Sequence, residues 1–281
     1  MANIFHGNYR RIEDLGIKEK VFRFLFKNKI GKVKSQKFWK ALYNAALIGM
    51  NIGGGGDLNS SGESGVLAIL NDKVFKGKEN LTLFDVGANI GEYTNELLSI
   101  FPTATVHSFE PAAYTFAELK KNVNSDRAII NNMGLSDKRG NAVLYYDEEA
   151  SGAASLYKRQ MDYHNVDFSL SEEVKISTVE DYCNEKKIEY IDFLKIDVEG
   201  NEIPVLKGAE KLLNSRKVSA IQIEFGGANI DSRTYFRDFW NLLNENYHVF
   251  RIVIDGIYEI TKYEEQLEIF TCTNFLFLLK S

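Results

Sequence analysis

Leu81 to Thr94 reads LTLFDVGANIGEYT, and the architecture of the chain can be worked out from it. An apolar run ending at Asp85 has the composition of a buried parallel strand, and glycines follow at once. After Gly87-Ala88-Asn89-Ile90-Gly91 a helical pattern continues to about Phe101. A strand, a glycine turn and a helix N-terminus expose backbone N–H groups to a ligand, and the missing Cβ atoms are expected to let it come close. The stretch therefore predicts a nucleotide-type binding corner.

Spacing narrows the ligand. The dinucleotide fingerprint asks for glycines at its first, third and sixth positions. Counted from Gly87, those places hold Gly87, Asn89 and Glu92, so two of the three fail. Asp85 at the strand tip suits a cation or an amine better than a phosphate. S-adenosylmethionine fits, because its methionine end carries an ammonium and it has no phosphate. The next strand, Thr105 to Phe109, ends at Glu110, which follows Gly91 by 19 residues. An acidic residue about 20 positions on, at the end of the second strand, is placed to accept hydrogen bonds from ribose hydroxyls.

Outward from this corner, helix and strand alternate in the order that right-handed crossovers require. Helices are expected over Ala113 to Asn124, Asn201 to Asn214 and Tyr235 to Asn244. Strands are expected at Ala128 to Asn131, Ile191 to Ile196, Ser219 to Phe225, Val249 to Ile254 and Asn274 to Leu279, the last antiparallel beside Ser219 to Phe225. Asp255-Gly256 suggests a short hairpin. Ala142 to Tyr146 and Val174 to Ser177 read as two short strands. They bracket a polar loop with Ser151, Gly152, Ser155 and Tyr157, suited to acceptor recognition or to a β-excursion that extends the sheet.

The segments DVGANIGEYT (85 to 94), SFEP (108 to 111), NMGLSD (132 to 137) and LKIDVEGNEIPVLKGA (194 to 209) resemble the ordered motifs of FkbM-type methyltransferases, as do SGES (61 to 64) and ASL (154 to 156). The resemblance covers roughly residues 60 to 280. It implies a class I methyltransferase fold, an α/β Rossmann-like sheet of seven mostly parallel strands with an antiparallel last strand. It also implies O-methyl transfer from S-adenosylmethionine, often onto sugar or polyketide hydroxyls. On the matching positions the cofactor would meet Glu63, Asp85, Gly87, Asn89, Gly91, Tyr93, Thr94, Glu110, Pro111 and Asp197, with the backbone of Asn132 to Leu135 bracketing adenine. For Ser61 and Glu63 the alternative is capping of the helix that follows.

Methyl transfer from a sulfonium is an in-line displacement that needs alignment above all, and a hydroxyl acceptor gains from a base. The candidates are Asp197 and Glu199, which end the strand Ile191 to Ile196, and Glu224. Asp197 and Glu224, at adjacent strand tips, would alternatively hold a divalent metal, although no third ligand is identifiable. Of the four histidines, His107 lies inside a strand and suits the core, His164 falls on the acceptor-side loop where a base could sit, and His6 and His248 have no ligand spacing. Two other readings stay open: a nicotinamide-dependent dehydrogenase on a Rossmann-like fold, and a catalytically inactive cofactor-binding protein.

The chain has 281 residues, enough for one sizeable α/β domain and a modest extension. The expected division is residues 1–57, a basic helical extension, and 58–281, the methyltransferase domain. Gly53 to Gly56 cannot hold a helix and mark the linker. Cys183 and Cys272 are neither a disulfide framework nor a zinc site by spacing. No stretch reads as a secretory signal or membrane span, so a cytoplasmic location is expected. The expected partner is a small-molecule or glycan acceptor, with no nucleic acid. Charge is uneven: residues 10–40 carry a net +8 in a chain of net −5. Val21, Phe22, Leu25, Phe26 and Ile30 recur there at helical spacing. That segment suits peripheral contact with an anionic membrane or a polyanionic acceptor, or packing of its apolar stripe on the catalytic domain with the lysines in water.

Overall fold

The computed structural model describes residues 16–54, 58–149, 151–162 and 165–281. His6, His164 and the last two glycines of the Gly53 to Gly56 run lie outside them. The chain divides into two compact units, one ending at Met50 and the other Asn51–Ser281.

Within the first unit lie α1 (Ile17–Phe26) and α2 (Gln36–Gly49). Phe22 and Phe26 of α1 meet Phe38 and Trp39 of α2, with ring centroids 5.6 to 5.8 Å apart across the helices. The Trp39 indole donates to the Lys29 carbonyl at 2.9 Å. These rings tie the two helices into a hairpin.

The second unit runs α3 (Leu58–Ser61), α4 (Glu63–Ile69), β1 (Thr82–Val86), α5 (Glu92–Ile100), β2 (Thr105–Phe109), α6 (Ala113–Asn122), β3 (Ala128–Asn131), β4 (Gly134–Leu135), β5 (Gly140–Tyr146) and β6 (Leu170–Ser177). It continues with α7 (Val179–Lys186), β7 (Ile191–Ile196), α8 (Glu202–Lys207), α9 (Glu210–Asn214), β8 (Val218–Phe225), α10 (Ala228–Ser232), α11 (Phe236–Leu243), β9 (Tyr247–Val253), β10 (Gly256–Ile260) and β11 (Thr273–Leu279). The main sheet has the order β10-β9-β11-β8-β7-β1-β2-β3. From β3 to β8 the strands are parallel, and β11 enters antiparallel between β8 and β9. Seven of these strands are the ones the sequence predicts. The eighth, β10, arises because the turn at Asp255-Gly256 folds Gly256–Ile260 back along β9.

Side chains alternate across the central strands, so each face packs its own layer of helices. Phe84, Leu194, Ile221 and Phe277 join residues of α7, α8 and α11 on one face, whereas Leu83, Phe193, Ala220 and Leu276 join residues of α4, α5 and α6 on the other. The two strands bracketing the polar loop do not extend this sheet: β6 pairs with β5 on one side and with β4 on the other in a separate three-stranded sheet. The helix expected over Asn201 to Asn214 is broken at Gly208. A Cβ there would stand 2.1 Å from the Ser136 carbonyl oxygen, so contact with that loop demands the glycine. His107 lies in the core, 4% exposed, with its Nδ1 2.8 Å from the Tyr182 hydroxyl. Burial pulls the pKa of His107 down to about 4.

Candidate active site

The predicted strand tips bring four polar side chains into one row. Register pairs Ser108 with Asp85, Asp85 with Lys195, and Lys195 with Gln222, so these residues are cross-strand neighbours on one face of β2, β1, β7 and β8. All four are buried, and each needs a partner because an unpaired polar group there is costly. The row supplies most of them. Lys195 Nζ lies 3.3 Å from Asp85 Oδ1, 3.4 Å from Asp197 Oδ2 and 3.2 Å from the Gly87 carbonyl. From α5, the Thr94 hydroxyl donates to Asp85 Oδ2 at 2.7 Å and lies 2.8 Å from Ser108 Oγ, and the Tyr93 hydroxyl donates to Gln222 Oε1 at 2.8 Å. Gln222 Nε2 donates to Glu63 Oε1 at 2.6 Å, and the Ser61 hydroxyl donates to Glu63 Oε2 at 2.8 Å. The amino acids expected around the methionine end of a cofactor thus form a buried network among themselves.

Within this network two of the residues expected at the cofactor have internal partners. Asp85 is 0% exposed, and its carboxylate faces Lys195 and Thr94. Thr94, also 0% exposed, is its partner. The glycines likewise meet close packing. At Gly87, φ is +83° and a Cβ would stand 1.7 Å from the Asp197 carbonyl oxygen; at Gly91, φ is +96° and a Cβ would collide with Leu119 and Val123. Gly87 lets β1 and β7 end against each other, and Gly91 lets α5 start beside α6.

Around the strand tips lies a cavity with Gly87, Asn89, Glu110, Pro111, Leu135 and Leu144 among its walls. Glu110 takes the Asn89 N–H on one oxygen at 3.1 Å and the Ala112 N–H on the other at 2.9 Å. Burial pushes its pKa up to about 7 against those two bonds. Asn89 sits at φ +46°, a conformation that asparagine tolerates, and its buried Oδ1 has no protein partner among the described residues. Asn132 Nδ2 donates to the Glu110 and Pro111 carbonyls, both at 3.0 Å, and so holds the tip of β2. Gly152, Ala154 and Leu156 of the polar loop close the far wall.

Asp197 and Glu199 line this cavity and two that adjoin it. One neighbour adds Glu63, Tyr93, Lys195, Glu224 and Cys272; the other adds Arg159, Glu202 and Asn229. Glu199 has φ +49° and Gly200 φ +103°, a tight turn fixed by Glu202, whose Oε1 takes the Gly200 N–H at 2.8 Å and whose Oε2 takes Asn229 Nδ2 at 3.0 Å. Arg159 Nη1 donates to Glu199 Oε2 at 2.6 Å, and the Ser155 hydroxyl donates to the Glu199 carbonyl at 2.6 Å, so the polar loop clasps the turn. Burial, then Asp197, raises the Glu199 carboxyl, while Arg159 opposes the shift. Glu224 is raised further by burial and by the same two acids, and the Cys272 thiol donates to it.

One oxygen from each of Asp197, Glu199 and Glu224 lies within 4.8 Å of the others, so Glu199 is the third carboxylate that spacing alone could not identify for a metal. The donor set is all oxygen, which suits magnesium or calcium. Lys195 and Arg159 already pair with Asp197 and Glu199, so two of the three charges are met from within the protein.

Sequence reasoning missed Lys195, Gln222, Glu202 and Arg159. The first two had a signal: IDFLKI and SAIQIEF are buried strands interrupted by one polar residue, and a lysine in a buried strand requires an acid beside it. Arg159 had none, because the chain brings it to Glu199 across 40 residues.

The family described as Methyltransferase FkbM domain matches residues 85–252. Among curated relatives, 31-O-demethyl-FK506 methyltransferase FkbM of Streptomyces tacrolimicus is 31% identical over 153 residues, 46% of this chain and 59% of that one. The hexuronic acid methyltransferase AglP of Haloferax volcanii is 30% identical over 170 residues, 59% and 64% of the two chains. The 2-O-methyltransferase NoeI of Sinorhizobium fredii is 25% identical over 150 residues, 50% and 62%. Matches span about three fifths of each relative's length. The matched region opens at Asp85, includes Glu110, Asp197, Glu199 and Glu224, and covers more than half of the sequence; the chain belongs to the FkbM methyltransferase family.

Proposed function

We propose that the protein transfers a methyl group from S-adenosylmethionine to a hydroxyl of a carbohydrate or related polyhydroxylated metabolite. The observation that carries this reading is the position of Glu110: a buried carboxylate at the end of the second strand, in the wall of a cavity that shares Asp197 and Glu199 with two polar neighbours. The bound cofactor would supply an electrophilic methyl on a good leaving group. In this reading Glu110 accepts the ribose hydroxyls, Gly134 and Leu135 flank the base, and the Asn89 Oδ1 offers an acceptor to a donor of the ligand. Asp197 receives the proton of the incoming hydroxyl, with Glu199 and Glu224 beside it. The acceptor class rests on what relatives of this family methylate, a hexuronic acid among them.

Calorimetry with S-adenosylhomocysteine tests the assignment. Glu110→Ala is expected to weaken binding by about tenfold or more, the loss of one well-placed charge-assisted hydrogen-bond acceptor. Only the ionised carboxylate accepts two hydroxyls. Because its pKa in the free protein is about 7, affinity should fall as pH drops below about 7 and level off above it. Glu110→Gln should flatten that profile. Unchanged affinity in both variants would remove Glu110 from the site.

The acid cluster also sets an expectation for metal. With Lys195 and Arg159 neutralising two of its members, methyl transfer should survive exhaustive chelation. Loss of turnover that magnesium restores would instead assign Asp197, Glu199 and Glu224 to a cation that lowers the acceptor's pKa.

A further inference from the structure

The helical hairpin at the start of the described chain has more apolar surface than it uses. Its aromatic seam takes Phe22, Phe26, Phe38 and Trp39. Ile17, Val21, Phe24 and Leu25 follow the i, i+4, i+7, i+8 spacing of a second stripe, rotated away from that seam on α1. This stripe is exposed: Ile17 by 83%, Phe24 by 71% and Leu25 by 68%, with Val33 of the connecting turn at 90%. Such contiguous apolar surface on a helix marks an interaction site.

Charge identifies the occupant. Between Gly16 and Met50 the sequence has nine Lys or Arg and one acid, Glu19, while residues 41–281 carry −13. The hairpin is thus strongly cationic on an otherwise anionic protein. No described helix is long and apolar enough to cross a membrane. A short amphipathic helix with an apolar stripe bordered by basic residues instead lies in the plane of an interface, its stripe among the acyl chains and its cations at the headgroups. We infer that this hairpin docks the protein on an anionic membrane surface, with Ile17, Val21, Phe24 and Leu25 inserted and Arg23, Lys27 and Lys29 among the headgroup cations.

The experiment is co-sedimentation of the full chain with vesicles of phosphatidylcholine alone or mixed with phosphatidylglycerol. Binding is expected to the anionic vesicles only and to weaken as salt is raised, because surface charge attraction is screened within about 10 Å at 0.1 M ionic strength. The double variant Phe24→Asp, Leu25→Asp should lose about tenfold or more in vesicle affinity, since it withdraws two buried apolar side chains. Lys27→Glu with Lys29→Glu should lose the preference for anionic lipid. No binding to anionic vesicles, or equal binding to both kinds, overturns the proposal. So does binding to heparin without vesicle binding, which would assign the cations to a soluble polyanion. A dimer that Phe24→Asp, Leu25→Asp dissolves in sedimentation analysis would show a second copy on the stripe. A lowered melting temperature of the Asn51–Ser281 unit in that variant would show an internal packing face.

Discussion

Replacing Lys195 with methionine is expected to cost about 3–5 kcal/mol of stability, the usual penalty for removing one partner of a buried ion pair. Lys195 is 5% exposed, and it faces Asp85, which has no exposure at all. Burial alone would favour the neutral amine. Asp85, Asp197 and Glu63 outweigh it and lift the pKa of Lys195 above the ordinary lysine range. A base whose pKa is raised on folding stabilises the fold throughout the neutral range and loses that contribution only as pH rises through the folded value, so pH 7 is a fair place to measure. Methionine fits the volume but leaves the Asp85 carboxylate with Thr94 alone. For a unit of this size the loss corresponds to a melting temperature lower by roughly 10 °C. Adding Asp85→Asn should return part of it, because the second change removes the orphaned charge. A single variant melting within about 2 °C of the parent, or a double variant less stable than Lys195→Met, would mean that the pair is not what holds the strand tips together.

The row from Ser108 to Gln222 also shows which parts of the site were legible. β7 was predicted at its observed bounds, Ile191–Ile196, because a central parallel strand is a short apolar run between turn signals. The acids at strand ends followed from the same logic: Glu110, Asp197 and Glu224 sit at or near the carboxyl ends of parallel strands, where such sheets bind ligands. The meaning of Asp85, Gly87 and Gly91 was not legible. A turn glycine reads the same whatever approaches it, and only the structure shows the contact of Gly87 with the Asp197 backbone. Glu63 is a middle case. Ser61 and Glu63 did suggest a helix cap; the cap position is Gly62, and the Ser61 hydroxyl accepts the first N–H of α4, from Glu63, at 3.3 Å. At Gly62 φ is +87°, and a Cβ would stand 2.4 Å from the Val253 carbonyl oxygen, so this glycine too serves packing, against β9. Its neighbour Glu63 is directed to Gln222. The grouping of Arg159 with Glu199 depends on the path of a loop, and local periodicity does not encode such a path.

Asp197→Asn is expected to lower methyl transfer to a panel of polyhydroxylated acceptors by about 10² to 10⁴-fold, the range lost when a positioned base is removed. The substitution is nearly isosteric, and Lys195 keeps Asp85 as its partner, so the melting temperature should move little. Binding provides a second readout. If Asp197 faces the sulfonium, its charge favours S-adenosylmethionine over S-adenosylhomocysteine, and the variant should lose affinity for the former more than for the latter. The neighbouring acids set the residual rate. After burial, Asp197 is the largest influence raising the carboxyl of Glu199, so removing its charge brings Glu199 closer to the ordinary carboxylate range and leaves it ionised at lower pH. Residual turnover in Asp197→Asn should therefore depend on Glu199, and adding Glu199→Gln should abolish it. Full activity in Asp197→Asn would place the base elsewhere. An equal loss of affinity for both ligands would mean that Asp197 does not face the sulfonium, the one charge that S-adenosylhomocysteine lacks.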